Sequence, residues 1–167
     1  MFREMRRSKQ QLSNEECIAI LEKGTSGVLA VEGDDGYPYA VPLSYVFWNG
    51  QIIFHCATSG HKLDALKRNE KASFCVIGQD DVVPEKFTTA YRSVIVFGRA
   101  QLLDDANAKR LALELLTQRY APAHKQEGMK RIEEALGHVC MVAIHIEHMT
   151  GKEGLELLNM RNANAEG

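Results

Sequence analysis

Apolar positions through the middle of this chain alternate with polar ones in the period of two expected of half-buried strands, and stretches with helical spacing frame them. The first frame opens at Ser13-Asn14-Glu15-Glu16, a capping box with Ser13 at the N-cap and Glu16 three residues on. The helix it starts runs through Cys17, Ile18 and Leu21 to a stop near Gly24. Gly27–Val31 reads as a strand, closed by the turn residues Gly33-Asp34-Asp35-Gly36. Tyr37–Trp48 reads as one further strand, with Pro38 and Pro42 marking an edge, a bend or a bulge because proline cannot donate to a ladder. Asn49-Gly50 is a type I′ hairpin signal leading into the strand Gln51–His55.

A helix is expected over His61–Asn69, a strand over Lys71–Ile77, then a polar excursion over Gln79–Pro84. Tyr91–Leu103 is a long strand whose alternation sets Val94, Val96 and Gly98 on one face and Ser93, Ile95, Phe97 and Arg99 on the other. Asp104-Asp105 opens a helix with a stripe of Leu111, Leu115 and Leu116, ending near Tyr120-Ala121-Pro122. A shorter amphipathic helix covers Gly128–Leu136, the last strand is Val139–Ile146, and the tail beyond is polar and weakly patterned. Short strands with only short helices between them predict a mainly β fold with flanking helices, an antiparallel barrel rather than a doubly wound parallel sheet. The expected division is a basic N-terminal arm over 1–12, one domain over 13–150 and a C-terminal tail over 151–167.

Composition narrows the function classes. A chain of 167 residues suits one domain, and 45% hydrophobic content fills a core. Its 20 basic and 22 acidic residues leave a formal charge of −2, which offers no basic field to nucleic acid. No segment reaches the roughly 18 consecutive apolar residues of a membrane span. Met1-Phe2-Arg3-Glu4-Met5-Arg6-Arg7-Ser8-Lys9 is basic but precedes no apolar secretory core, so it reads as a polar arm on a cytoplasmic protein. Cys17, Cys56, Cys75 and Cys140 lack paired metal-ligand spacing, and a disulfide framework is not expected. Cys17, Cys75 and Cys140 sit among apolar neighbours as small core residues, whereas Cys56 either packs or lines a ligand.

The densest candidate chemistry lies at Phe54-His55-Cys56-Ala57-Thr58-Ser59-Gly60-His61-Lys62, where a strand passes through small polar residues into a helix. A helix start leaves backbone N–H groups unpaired and carries partial positive charge, so it receives anions. Lys62 adds a cation, and Thr58 and Ser59 add hydroxyl donors suited to phosphate oxygens. The alternative is an ordinary connection with Thr58 or Ser59 as N-cap and two solvated first-turn residues. Two potential cations at the positive end of a helix weigh against it. His55, at the strand end, is either a proton donor and acceptor near neutral pH or a histidine bonded to backbone. His145 and His148, three apart along a strand, are expected on opposite faces, so no metal site is expected from them.

Several separate motifs in order carry a resemblance over nearly the whole chain. They are Met1-Phe2-Arg3-Glu4-Met5-Arg6-Arg7, Asp35-Gly36-Tyr37-Pro38-Tyr39-Ala40-Val41-Pro42-Leu43-Ser44-Tyr45, Phe54-His55 with Gly60-His61-Lys62, and Ala72-Ser73-Phe74-Cys75-Val76. Further along come Thr88-Thr89 with Tyr91-Arg92-Ser93-Val94-Ile95-Val96-Phe97-Gly98, and Glu147-His148-Met149-Thr150-Gly151-Lys152. The chain thereby resembles the pyridoxamine 5'-phosphate oxidase-like split-barrel flavoproteins, and among them the nitroimidazole-resistance (Nim) proteins.

That resemblance implies a six-stranded split β-barrel of the FMN-binding type, paired as a homodimer with FMN at the interface. It implies flavin contacts from Val41, Pro42, Leu43, Ser44 and Tyr45, largely through backbone groups, and from His55 and Ala57. Gly60, His61 and Lys62, preceded by the cradle residue Ser59, match the phosphate step, which is often Ser-Arg-Lys in the oxidases, so His61 stands where a stronger cation is usual. Arg92-Ser93 matches an Arg-Gln pair, and Ser93 lacks that amide, while Thr89 offers a hydroxyl from the same region. His55 and His61 are both candidates for the family's reactive histidine. The tail lacks the oxidase's basic substrate clamp, so the resemblance implies reduction of nitro-aromatic or related small acceptors, with NAD(P)H as a transient donor. The alternatives are a non-enzymatic flavin carrier or sensor and a haem-binding split-barrel protein.

Overall fold

The structure, a computed structural model, describes residues 1–165 of the chain, with side chains through residue 163. Helix α1 (Asn14–Lys23) begins where the capping box placed it: the Ser13 side chain accepts from the Glu16 N–H, and Glu16 accepts from the Ser13 N–H at 2.7 Å. Strands β1 (Ser26–Glu32), β2 (Pro38–Ser44), β3 (Val46–Trp48) and β4 (Gln51–Ala57) follow, with Asn49 and Gly50 at φ 48° and 73° closing the β3–β4 hairpin. Both values are positive, as a type I′ turn requires. Helix α2 (His61–Arg68) precedes the long hairpin β5 (Lys71–Val83) and β6 (Thr88–Leu102). Helices α3 (Ala106–Tyr120) and α4 (Lys125–Ala135) lead to β7 (Val139–Glu153) and α5 (Leu155–Ala165).

All seven strands form one antiparallel sheet in the order β2-β1-β5-β6-β7-β4-β3. The fold is mainly β with flanking helices, as expected, but the strands number seven rather than six. The extra strand arises because Tyr37–Trp48 is two strands, which are the opposite edges of the sheet and are joined by the single residue Tyr45. A sheet whose two edges share one residue must curl until those edges meet, which produces a barrel that is split rather than closed. The Tyr45 ring is fully buried, edge-on to Phe74 at 5.0 Å, and its hydroxyl donates to the Leu21 carbonyl at 2.8 Å. Its backbone N–H donates at 3.0 Å to the Tyr120 hydroxyl, which lies 2.6 Å from the Tyr45 carbonyl. The seam is held by two tyrosines instead of a ladder.

The interior is filled by Leu21, Leu29, Ile52, Phe54, Phe74, Val94 and their neighbours. A second cluster lies where Ile53, Met141 and Ala143 meet Ala112, Leu113 and Leu116 of α3 and Ile132 of α4. The face α3 buries is thus displaced from the expected leucine stripe, and Leu111 is exposed. Burial of each such aliphatic side chain contributes about 1.5–3 kcal/mol. Val94, Val96 and Gly98 face the interior while Ile95, Phe97 and Arg99 face out, matching the predicted alternation of β6.

Strands run further than the sequence pattern implies. Strand β5 continues through the supposed polar excursion to Val83, paired with β6 as far as Thr88. Strand β7 continues through Glu153, and the supposed structureless tail forms α5; residues 166–167 of that tail lie outside the described residues. A bulge in β7 leaves Glu147 without a partner: Gly98 pairs with Ile146 and Phe97 with His148. One extra residue inverts the alternation. His145 opposite Arg99 and His148 opposite Phe97 therefore share a face, contrary to the expectation from their spacing. The N-terminal arm is docked, with Gln10 buried and donating to the Glu153 carbonyl at 2.8 Å, and Phe2 stacked on His148 at 4.6 Å.

Candidate cofactor site

Strand β4 ends at Ala57 because Thr58-Ser59-Gly60 turns the chain into α2. Gly60 takes φ 123°, a conformation that side chains rarely adopt, and no atom lies within 4 Å of where its Cβ would stand. Gly60 is the N-cap, so no side chain bonds the first turn of α2; Thr58 and Ser59 do not cap it. Thr58, Ser59, Gly60 and His61 are exposed. The result is a helix start whose open N–H groups face solvent beside two hydroxyl-bearing residues, as an anion site requires.

Lys62 is half-buried, with its ammonium 5.9 Å from the centroid of the buried Phe54 ring. Among the described residues no carboxylate pairs with it within 4.0 Å. His61 is differently placed. Its ring stacks on Tyr39 at 4.1 Å, and Nε2 lies 3.6 Å from Asp34 Oδ2. Arg68 bonds the other oxygen of Asp34 at 2.9 Å. His61 thus ties α2 to the β1–β2 turn, and Lys62 is the cation left to meet a ligand. Asp34 and Tyr39 are members of this neighbourhood that the sequence pattern did not single out, because their partner lies more than 20 residues away along the chain.

Strand β2 is an edge, paired only with β1 among the described residues. Val41 and Leu43 pack on the interior cluster, whereas Pro42 and Ser44 face out. An edge strand retains unpaired backbone groups along its free side, so 41–44 present the donors and acceptors that a heteroaromatic ring needs. Pro42 is tolerated because it lies on that edge. Tyr45 is placed otherwise: its ring is in the core, and its backbone N–H and carbonyl both meet Tyr120.

His55 and Ala57 are exposed and lie on the opposite face of β4 from Phe54 and Cys56. Cys56 is half-buried, and burial pushes its thiol up from the ordinary cysteine value while the nearby Lys62 charge acts the other way. Thr89 and Ser93 are not brought to this neighbourhood. Ala57 pairs with Val139 and Ser93 with Lys152, at opposite ends of β7. The 13 residue steps from Val139 to Lys152 span roughly 40 Å of strand at about 3.3 Å per residue. Ser93 and Thr89 instead share an outer face with Ile77, Val82, Ile95 and Phe97, all exposed apolar residues of the β5–β6 hairpin.

A groove of about 590 Å³ lies elsewhere on the sheet, between Phe2, Val31, Lys71, Phe97, Arg99 and Glu147. Arg99 there is fixed by Glu147 at 2.7 Å and Glu70 at 2.5 Å. Among the described residues no three histidine, cysteine or acidic side chains converge as a metal site, and no helix is long and apolar enough to cross a membrane.

A split antiparallel barrel with an uncapped helix start beside its open edge defines the class as a split-barrel protein. The family model described as pyridoxamine 5'-phosphate oxidase matches residues 13–153, and the chain belongs to that family. No curated protein matches the sequence. Among solved structures, it is similar to a protein of Bacteroides thetaiotaomicron assigned to 5-nitroimidazole antibiotic resistance, with 19% identity, 86% of each chain covered and a TM-score of 0.70. It is also similar to the FAD and heme binding protein of Mycobacterium smegmatis, with 24% identity, 87% of this chain and 73% of that one covered and a TM-score of 0.76. The flavocytochrome Anf3 of Azotobacter vinelandii shares 19% identity over 90% of this chain and 72% of its own, with a TM-score of 0.75. These likenesses, all below 25% identity, establish a shared fold.

Proposed function

We propose that this protein is a homodimeric flavoprotein that binds FMN in the split of the barrel and reduces nitro-aromatic or related small electron acceptors. The observation that carries the reading is the uncapped start of α2, with Lys62 unpaired among the described residues beside Ser59 and Gly60. These groups fit a phosphate: the helix N–H groups and the Ser59 and Thr58 hydroxyls would donate, and Lys62 would supply the charge. The free edge of β2 at Val41–Ser44 would bond the ring system. Bound flavin would supply the electron transfer, accepting electrons from a transient NAD(P)H donor. His55, exposed near the end of β4, would hold or deliver a proton beside the ring.

Neighbours that bind FAD by name, and one tied to nitroimidazole resistance, support the flavin and the substrate class. Dimerisation is supported by the separation of Thr89 and Ser93 from the cradle. If those hydroxyls meet flavin, they do so from a second copy, whose exposed apolar β5–β6 face also gains a cover. The haem reading draws on two haem-associated neighbours and on His55 as an available ligand.

The test is titration with FMN and with riboflavin, followed by flavin fluorescence, on the wild-type chain and on Lys62→Ala. Loss of the charge-assisted contact should weaken FMN binding about 10-fold or more, since hydrogen bonds to charged groups contribute about 1.5–3 kcal/mol, while riboflavin binding stays unchanged. Equal FMN affinity in the two proteins refutes the phosphate assignment. Nitro-dependent reoxidation after NAD(P)H bleaching separates a reductase from a carrier, and a Soret band on haem addition without flavin uptake turns the reading to haem.

A further inference from the structure

We propose that Cys56 and Cys140 form a redox-active dithiol, a modification site that a hydroperoxide converts into a disulfide between β4 and β7. The two residues are direct partners in the antiparallel register of those strands. The Ile146 N–H bonds the Gly50 carbonyl, and the alternation from that pair makes Cys56 and Cys140 a hydrogen-bonded pair. Such pairs hold their Cα atoms about 5.5 Å apart, inside the span of roughly 4.4–6.8 Å that a disulfide bridges. Directly opposed residues also point to the same face, with Cβ atoms about 5.5 Å apart in a pair of this type, so closing a bridge that needs roughly 3.5–4.5 Å draws β4 and β7 together locally.

Burial sets Cys17 apart from this pair, and strand register sets apart Cys75, which is equally half-buried. Cys56 and Cys140 are free and half-buried, so a small oxidant reaches them. Cys17 is buried on α1, and Cys75 faces Val28 on one neighbouring strand and Ile95 on the other. Neither has a cysteine across from it. Cys56 also lies two residues before the 58–60 turn, so a covalent tie to β7 would fix the strand end from which that turn departs. The site does not rest on flavin binding.

The chemistry balances with one equivalent of oxidant. One thiolate attacks the hydroperoxide oxygen, the O–O bond breaks, and an alcohol (water, for hydrogen peroxide) departs, leaving a sulfenic acid. The second sulfur attacks that sulfur, the S–S bond forms, and the hydroxyl leaves as water. Two thiols have lost two electrons and two protons, and the peroxide has been reduced to alcohol and water.

The experiment treats the full-length chain with hydrogen peroxide, removes excess with catalase, and labels remaining thiols with N-ethylmaleimide in denaturant. Intact mass should show two labels instead of four, one per remaining cysteine. The four cysteines fall in four different tryptic peptides, 10–23, 24–62, 72–86 and 132–152, so the partner is read directly. A non-reduced digest should contain 24–62 linked to 132–152, and Cys140→Ser should abolish that species while Cys75→Ser keeps it. Four labels after oxidation, label loss without linked peptides, a bridge to the peptide of Cys17 or Cys75, or a disulfide between chains would each overturn the proposal. The wild-type digest decides the matter even if a variant fails to fold.

Discussion

Replacing Tyr45 by phenylalanine removes one oxygen from a fully buried ring and leaves its contact with Phe74 intact. The last carbonyls of α1 have no helical partner. Ile20 is served by the Gly24 N–H and Lys23 by Arg119, and Leu21 by the Tyr45 hydroxyl. The variant therefore loses a buried hydrogen bond and strands an acceptor, which costs about 1–3 kcal/mol. For a 167-residue chain each kcal/mol lowers Tm by about 2–4 °C, so a loss near 2 kcal/mol predicts a fall of about 4–8 °C. Differential scanning calorimetry and urea unfolding followed by circular dichroism would measure it, with the urea slope unchanged because the exposed area is the same. Tyr120→Phe should cost less, since water replaces a hydroxyl on a residue that is 41% exposed. A Tyr45→Phe protein melting within about 1 °C of wild type, well below the shift that an unmade buried bond produces, would refute the role of the hydroxyl at the seam.

Glu153 is fully buried beneath two arginines, 3.3 Å from Arg92 and 2.8 Å from Arg161, the latter contact lying off hydrogen-bond geometry. Glu153→Gln should cost about 2 kcal/mol, below the 3–5 typical of breaking a buried pair because both arginines reach solvent, and α5 amides should exchange with deuterium ahead of those of β6. Equal exchange in the two elements would count against α5 being pinned by this pair. Arg110 holds the Glu133 carboxyl below its ordinary value, chiefly by a direct hydrogen bond across α3 and α4. A carboxylate depressed in the folded state contributes stability above its unfolded pKa and loses it as pH falls through the folded one. The Glu133 carbon resonance should therefore titrate below the usual carboxylate range in wild type and return to it in Arg110→Ala.

Local chemistry was legible where its partners lie within a few residues. The Ser13–Glu16 box, the Asn49-Gly50 turn and the Asp105 cap are each decided by neighbours in sequence, and each is present. The break at Tyr45 was not legible, because alternation continues across it and its cause, Tyr120, comes 75 residues later. The β7 bulge was hidden for a related reason: an extra residue destroys the period by which a strand is recognised, so the strand seemed to stop at Ile146. At the candidate site Lys62 and the turn into α2 were readable, whereas a cap from Thr58 or Ser59 stayed open until Gly60 was seen to hold the N-cap position. The partners of His61 were not, because Tyr39 and Asp34 reach it only after β1 and β2 have paired. Thr89 and Ser93, which the resemblance implies as flavin contacts, lie within one copy beside the end of β7 far from the cradle, a separation that only strand register reveals.

The tyrosine seam has a consequence for how the protein stays out of aggregates. An open seven-stranded sheet ordinarily ends in two templates onto which another chain's strand can add. Here both ends belong to one stretch of backbone, and the Tyr120 hydroxyl occupies the amide and carbonyl at the point where they meet. The chain thus offers no continuous ribbon to strangers at that corner, where the last residue of α3 acts as the guard.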